Sequence, residues 1–369
     1  MHLTLLIPEL LWSEPGDTEA NAPALQSSLA NILAQRHFSK KANTGWETSL
    51  LALTGFDPDS SIASLRALGE ASPPAPEPTS NAPQWLCADP VHLRFHQDRL
   101  ILADGQELGL TMADLEALAT RLNETFSGRA RFHFTNPTRG YLQLAGAKSR
   151  ADSAGQALSL KIGCEVKPGD FGQSPEIRGL ANEIQMFLHA DPLNSARAAS
   201  GLPVLNALWL WGAGETPKLG KPPKAVAESP AVDALSGSHP LLLGIAKAMT
   251  TLGRPMALVS YRLNQDSVSA LAEIKATQAK HALCLVDALN SPTHYQNSND
   301  YAGAWRSIDH ALLTPSIRAL RGWQLNRLHV FAPVVFGELH WHLSPLSAWK
   351  NPISRRNWPG LIGELATPE

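Results

Sequence analysis

Two groupings of polar residues in this sequence have the types and spacing that chemistry needs. Asn194 and Arg197 stand three apart within residues 188–214, LHADPLNSARAASGLPVLNALWLWGAG. A turn of helix would bring them onto one face. There Arg offers a fork of donors and Asn a donor and an acceptor, a pair suited to an oxygen anion. The alternative is that both tie the loop to backbone carbonyls. The second grouping is Glu338, His340 and His342 in GELHWHL. On a strand these alternating residues share one face. With a fourth ligand that face suits a divalent metal; without one it is a half-exposed strand face. His92 and His96 read as surface histidines, and Trp209 and Trp211 as core packing on one strand face.

Several familiar signatures are missing. Residues 214–221, GETPKLGK, resemble a phosphate-binding loop but hold five residues between the glycines, and Pro222 follows where Ser or Thr would hold Mg²⁺. No G-x-G-x-x-G follows a strand, and no G-x-S-x-G elbow is present for a serine hydrolase.

The elements that must position these residues alternate strand and helix. A helical run stops at Asp191-Pro192, a polar connection follows, and 205–211 is an apolar strand ended by Gly212 and Gly214. Strand followed by glycine is where α/β sheets open their ligand crevice. Further strands are expected at 3–7, 256–259, 281–286 and 328–332, with helices at 21–34, 48–53, 241–252, 267–280 and 299–321. That alternation implies a largely parallel sheet. Residues 72–83 carry five prolines in twelve positions and read as an extended linker. Beyond it, strands at 91–95, 99–102, 131–134 and 141–144 surround a helix opened by Thr111 and Asp114, a capping-box-like pair. The expected layout is a discontinuous main domain, 1–83 and 179–369, with an α+β insertion at 84–178.

At 369 residues the chain is long enough for such a layout. Net charge is −2 with no basic block, which leaves nucleic acid and anionic membranes without electrostatic support. Cys87, Cys164 and Cys284 lie far apart and read as buried thiols. The N-terminus lacks a basic n-region, and no apolar run approaches the ~18 residues of a membrane span. A cytoplasmic protein is expected.

The 188–214 stretch resembles the archaeal-type cofactor-independent phosphoglycerate mutases of the alkaline phosphatase superfamily. Pro192, Asn194, Arg197, Gly201, Pro203, Trp209, Leu210, Trp211, Gly212 and Gly214 match the pattern, with Asp191 where the family has His. Within that group the chain looks closest to RpfE-type bacterial regulatory proteins. The resemblance implies an alkaline-phosphatase-like main domain, two divalent metal ions held by Asp and His, and a serine that carries the phosphoryl group. The sequence departs from it at each of these places. The family's first strand ends in Asp-Gly, and here Pro8-Glu9 follows Ile7. Gly55-Phe56-Asp57-Pro58 preserves the end of the nucleophile region, but an ungapped count puts Trp46 in the nucleophile place. Thr44, Thr48 or Ser49 serve only with a shift. Asn290 stands in a metal-ligand Asp place, with His294 after it and Asp287 nearby. Phe331, Ala332 and Pro333 stand where an Asp-His pair belongs. Arg139 lies where the family grips substrate.

The expected function is therefore a catalytically degenerate, regulatory protein without a cofactor, binding a small phosphorylated or carboxylated metabolite through Asn194, Arg197 and Arg139. Two alternatives stand beside it. One is an active phosphotransferase or phosphohydrolase using two Mn or Zn ions, with fallback ligands Glu9, Asp287, His294, His340 and His342 and fallback nucleophile Ser49. The other is a protein-interaction scaffold.

Overall fold

A computed structural model describes residues 1–74, 84–145, 154–221, 223–260, 270–349 and 356–367. The strands are β1 (His2–Leu6), β2 (Ser39–Lys41), β3 (Gln84–His96), β4 (Arg99–Asp104), β5 (Ala130–Asn136), β6 (Arg139–Leu144), β7 (Ala207–Trp211), β8 (Ala234–Ser236), β9 (Ala257–Val259), β10 (His281–Leu285), β11 (Arg327–Val334) and β12 (Gly337–Leu343).

The chain divides into two compact units. The first comprises Met1–Gly55, Pro222–Leu242 and Met249–Glu369. Its sheet runs β2–β12–β11–β1–β10–β8–β9, parallel from β11 to β9 and antiparallel at β12 and β2. β1 leads the sheet because Leu3, Leu5, Leu6 and Ile7 are all fully buried, each contributing about 1.5–3 kcal/mol relative to exposure. One face packs Leu3, Leu5, Cys284, Val330 and Trp341 into a core with Trp305 and Trp358 from the helices. The other face carries His2, Thr4, His281, His329 and Phe331, because side chains alternate along each strand.

The second unit comprises Phe56–Lys221 and Leu243–Ala248. Its sheet is antiparallel, in the order β4–β3–β6–β5, with β7 also paired to β3. The helix Met112–Thr125 begins with the reciprocal capping box of Thr111 and Asp114 and buries Leu115, Leu118 and Leu122.

The fold class is the one expected: mixed α/β with a largely parallel central sheet and a smaller α+β unit. The unit boundaries fall elsewhere than 83/84 and 178/179. Residues 56–74 and the whole 188–214 stretch lie in the antiparallel unit, so β7 is not a strand of the parallel sheet. Its two glycines open no crevice there. A Cβ on Gly214 would come within 2.6 Å of the Asp59 carbonyl and the Ser61 amide. Ala63 N–H donates to Gly212 O at 2.9 Å. Those glycines serve close backbone packing. The polar connection after Asp191 is a helix, Pro192–Ala199. The expected 21–34 helix is two, Thr18–Gln26 and Ser28–Ala34, each capped at its start by a side chain. Cys87 and Cys284 are buried, while Cys164 is exposed. Most of the proline-rich linker lies outside the described residues, as does the start of the expected 267–280 helix. Among the described residues no helix is long and apolar enough to cross a membrane.

Candidate functional site

The parallel sheet aims its strand ends at one edge, where Glu9 follows β1 and Asp287 follows β10. Ile7 N–H donates to Phe331 O and Glu9 N–H to Pro333 O, both at 2.9 Å, and Val286 N–H to Leu6 O. Tyr301 Oη donates to the carbonyls of Glu9 at 3.0 Å and Leu10 at 2.8 Å. Glu9 has φ of 56°, a left-handed conformation that favours glycine. Burial pushes its carboxyl up to about 7, the direction expected when no cation offsets desolvation. Burial also raises the Asp287 carboxyl, although that residue keeps an exposed surface, so water screens part of the shift. Asn290 opens the short helix Asn290–His294, and its Oδ1 is buried without a hydrogen-bond partner. Phe331, Ala332 and Pro333 are buried. Among the described residues, no three His, Cys, Asp or Glu side chains form a group that could hold a metal ion.

The helix Trp46–Thr54 starts from Gly45, whose φ is 92°, and ends at Gly55 in a left-handed cap. Trp46 is buried and meets the His239 ring edge-on at 4.8 Å. Ser49, one turn on, is buried too, and its hydroxyl donates to the Glu338 carboxylate. Lys41 Nζ lies 3.1 Å from Glu338 Oε1. Thr48 Oγ1 donates to Thr44 O at 3.1 Å. The Ser49 hydroxyl, the fallback nucleophile, is thus held by a buried carboxylate.

Glu338, His340 and His342 do share a face of β12, as their alternation predicts. Their neighbours are strand residues. His340 Nε2 and His329 Nδ1 are hydrogen-bonded at 3.1 Å, and Arg327 donates to His342 Nε2 at 2.9 Å. His329, His2 and His281 join them on this face. Sequence reading missed these three, although each sits at or near the start of a strand, where a single lateral step reaches the next. His294 lies in the last turn of its short helix.

In the antiparallel unit, Asn194 and Arg197 are both buried on the helix Pro192–Ala199. Asn194 Nδ2 donates to Leu188 O at 2.7 Å and Leu205 O at 2.6 Å, and its Oδ1 accepts from Leu205 N–H at 2.8 Å. Arg197 donates to Pro203 O at 2.7 Å and to Leu108 O. The structure thus takes the backbone-tying alternative for both. Asp191 caps the helix through Leu193 N–H and accepts from Arg121 Nε and Nη2, both at 2.7 Å. His92 Nδ1 is 2.7 Å from Val204 O.

Arg139 forms a bidentate pair with Glu70, at 2.9 and 3.3 Å. Tyr141 donates to the same carboxylate at 2.6 Å and accepts from Arg66 at 3.0 Å. Burial alone would raise Glu70, but the Arg139 and Tyr141 hydrogen bonds outweigh it and hold the carboxyl below its usual value. Arg66 grips Asp89 with both terminal nitrogens, and Asp89 accepts from Trp211 Nε1 at 2.7 Å. Trp209 and Trp211 are buried, as expected for core residues.

No protein-family model matches the chain, and no curated protein does. Solved structures match in fold. The PH0037 protein from Pyrococcus horikoshii aligns over 99% of this chain and 97% of its own, with 14% identity and a TM-score of 0.52. A cofactor-independent phosphoglycerate mutase from Thermoplasma acidophilum DSM 1728 aligns over 98% of each chain, with 14% identity and a TM-score of 0.43.

Proposed function

We propose that this chain is a catalytically degenerate relative of the archaeal-type cofactor-independent phosphoglycerate mutases, acting in the cytoplasm as a regulatory protein of the RpfE type. The observation that carries the reading is Trp46. It stands in the nucleophile place at the start of the helix Trp46–Thr54, buried against His239, and an indole has no nucleophilic atom to offer phosphorus.

Two further observations support it. The left-handed backbone of Glu9 aligns it with the glycine of the family's Asp-Gly, which leaves Pro8 in the place of the metal-binding acid. Asn290 stands for a carboxylate, and a neutral amide is a poor transition-metal ligand. Among the described residues, the side chains present do not fit two divalent metal ions.

A small phosphorylated or carboxylated metabolite would then be bound rather than turned over. Asn194 and Arg197 are buried and bonded to backbone carbonyls, whereas the Arg139 side chain keeps 27% of its surface exposed beside Glu70. Arg139 is the residue through which such an anion would bind, in exchange for Glu70. The active-enzyme reading has one observation in its favour, the Ser49 hydroxyl on the Glu338 carboxylate. A 3-phosphoglycerate turnover assay with added Mn²⁺ or Zn²⁺ separates the two. Our reading expects no product above the protein-free control. Metal-dependent 2-phosphoglycerate formation that Ser49→Ala abolishes would overturn it.

A further inference from the structure

Two tryptophans of the parallel-sheet unit stand in solvent, and neither the core nor the proposed function uses them. Trp323 is 63% exposed and Trp349 64%, and Leu346 is 61% exposed. Single apolar residues scattered over a surface are normal, whereas a group of large ones marks a contact site.

Two helix ends build this group. In the helix Pro345–Trp349, Pro345 and Ala348 are buried, and Leu346 and Trp349, three apart, share the outer face. The helix Thr314–Arg321 carries Arg318 and Arg321 in its last turn. Arg321 ties the two helices together. Its Nε donates to Ala348 O at 3.2 Å, and its guanidinium lies 5.5 Å from the centre of the Trp349 ring. Its carbonyl accepts from Trp349 Nε1 at 3.0 Å. Trp349 is therefore an indole fixed in place while most of its surface faces water. A rigid aromatic ring beside an arginine has the composition of an interface anchor.

Trp323 is unusual in its backbone as well. Its φ is 58°, a left-handed conformation in which a bulky residue is an outlier. It ends the preceding helix: Trp323 N–H donates to Leu320 O at 3.2 Å and Gln324 N–H to Ala319 O at 2.9 Å. Such a stop normally uses glycine, yet Gly322 stands one place earlier with an ordinary φ of −81°. A strained position that leaves its indole in solvent gains little from packing, and strain of this kind gathers at functional sites.

The charge around these residues is of one sign. Arg318 is exposed, and Lys275 Nζ donates to Gln324 Oε1, next to Trp323. Residues 310–363 contain six Lys or Arg and a single acid, Glu338, which is buried against Ser49 and Lys41. That stretch is five charges positive in a chain whose net charge is −2.

We propose that this face docks an acidic segment of a partner protein. An aliphatic or aromatic side chain of the segment lies against Leu346, Trp349 and Trp323, and its carboxylates reach Arg318, Arg321 and Lys275. Charge complementarity names the partner. A second copy of this chain docked by the same face would set Arg318 and Arg321 against their own equivalents, and like charges oppose such a symmetric dimer. A membrane surface fits less well. Trp349 turns its indole N–H inward to Arg321 O, whereas an indole at a membrane interface keeps its polar edge wet. The docking face stands whether or not the sheet edge holds metal or a metabolite.

Fluorescence anisotropy with the full chain tests it. The probes are short labelled peptides that alternate Glu with Leu or Phe, and the same peptides with Lys in place of Glu. The Glu peptides are expected to bind and the Lys peptides not, with affinity falling as salt rises. Trp349→Ala and Arg318→Glu are each expected to weaken binding by about tenfold. Trp323→Gly is expected to lower affinity while the melting temperature holds or rises, because glycine adopts the left-handed turn without strain. Glu peptides that do not bind, or bind equally to all three variants, would overturn the proposal. So would binding through the same residues to phosphatidylserine vesicles but not to peptides, or a dimer in sedimentation that Trp349→Ala dissociates.

Discussion

The 188–214 motif and the carboxyl edge of the parallel sheet treat their polar side chains in opposite ways. In the motif, Asn194 makes three hydrogen bonds to main-chain groups, Arg197 is bonded to two carbonyls, and Asp191 pairs with Arg121. At the sheet edge, the Glu9 carboxyl is pushed up by burial, and Asn290 Oδ1 is buried without a partner. A buried polar group with a full set of partners is explained by the fold alone. One without partners marks a place where the fold no longer, or not yet, supplies the other half of an interaction. The motif that is most conspicuous in the sequence is therefore architecture, and the unpartnered side chains lie at the edge.

Breaking the first half of this contrast gives the larger effect. Asn194→Ala strips the partners from Leu188 O, Leu205 O and Leu205 N–H together. At about 1–3 kcal/mol for a buried group left unsatisfied, a loss of about 3 kcal/mol in chemical denaturation is expected, with anion affinity unchanged in the folded fraction. Full stability with lost anion binding would instead return Asn194 to ligand duty.

The second half is sharpened by Glu9→Gln. The Glu9 carboxyl titrates at about 7 in the fold against an ordinary value near 4.5. Its contribution to stability is therefore fully present below 4.5 and lost as pH rises through 7. The variant should gain on the order of 3 kcal/mol over the native protein at pH 8, and nothing at pH 4, since one pKa unit corresponds to about 1.4 kcal/mol. Melting temperatures of both proteins across that range check it. An offset that does not change with pH would mean a cation already neutralises Glu9.

Much of this fold was legible in the sequence, for identifiable physical reasons. The capping box at Thr111 and Asp114, the left-handed cap at Gly55 and the apolar run of β1 are local signals, and each element formed where its signal lay. The membership of β7 was not legible. An apolar strand flanked by glycines reads alike whether it joins a parallel or an antiparallel sheet, and only β3 across the fold decides it. The roles of Asn194 and Arg197 were open for a similar reason. The same donors serve an anion or a carbonyl, and the deciding acceptors, Leu205 O and Leu108 O, lie 11 and 89 residues away. The histidine layer was half visible: His340 and His342 showed the period of a strand. His2, His281 and His329 are single histidines on three other strands, brought to them by sheet register alone.

The proposal that the carboxyl edge holds no metal is tested most directly by calorimetric titration of Mn²⁺ into chelator-free protein, with the metal content of the purified protein measured beside it. The account predicts no stoichiometric heat and no retained Mn or Zn. Stoichiometric binding that Glu9→Gln or His294→Ala weakens would contradict it and restore the reading of an active metalloenzyme.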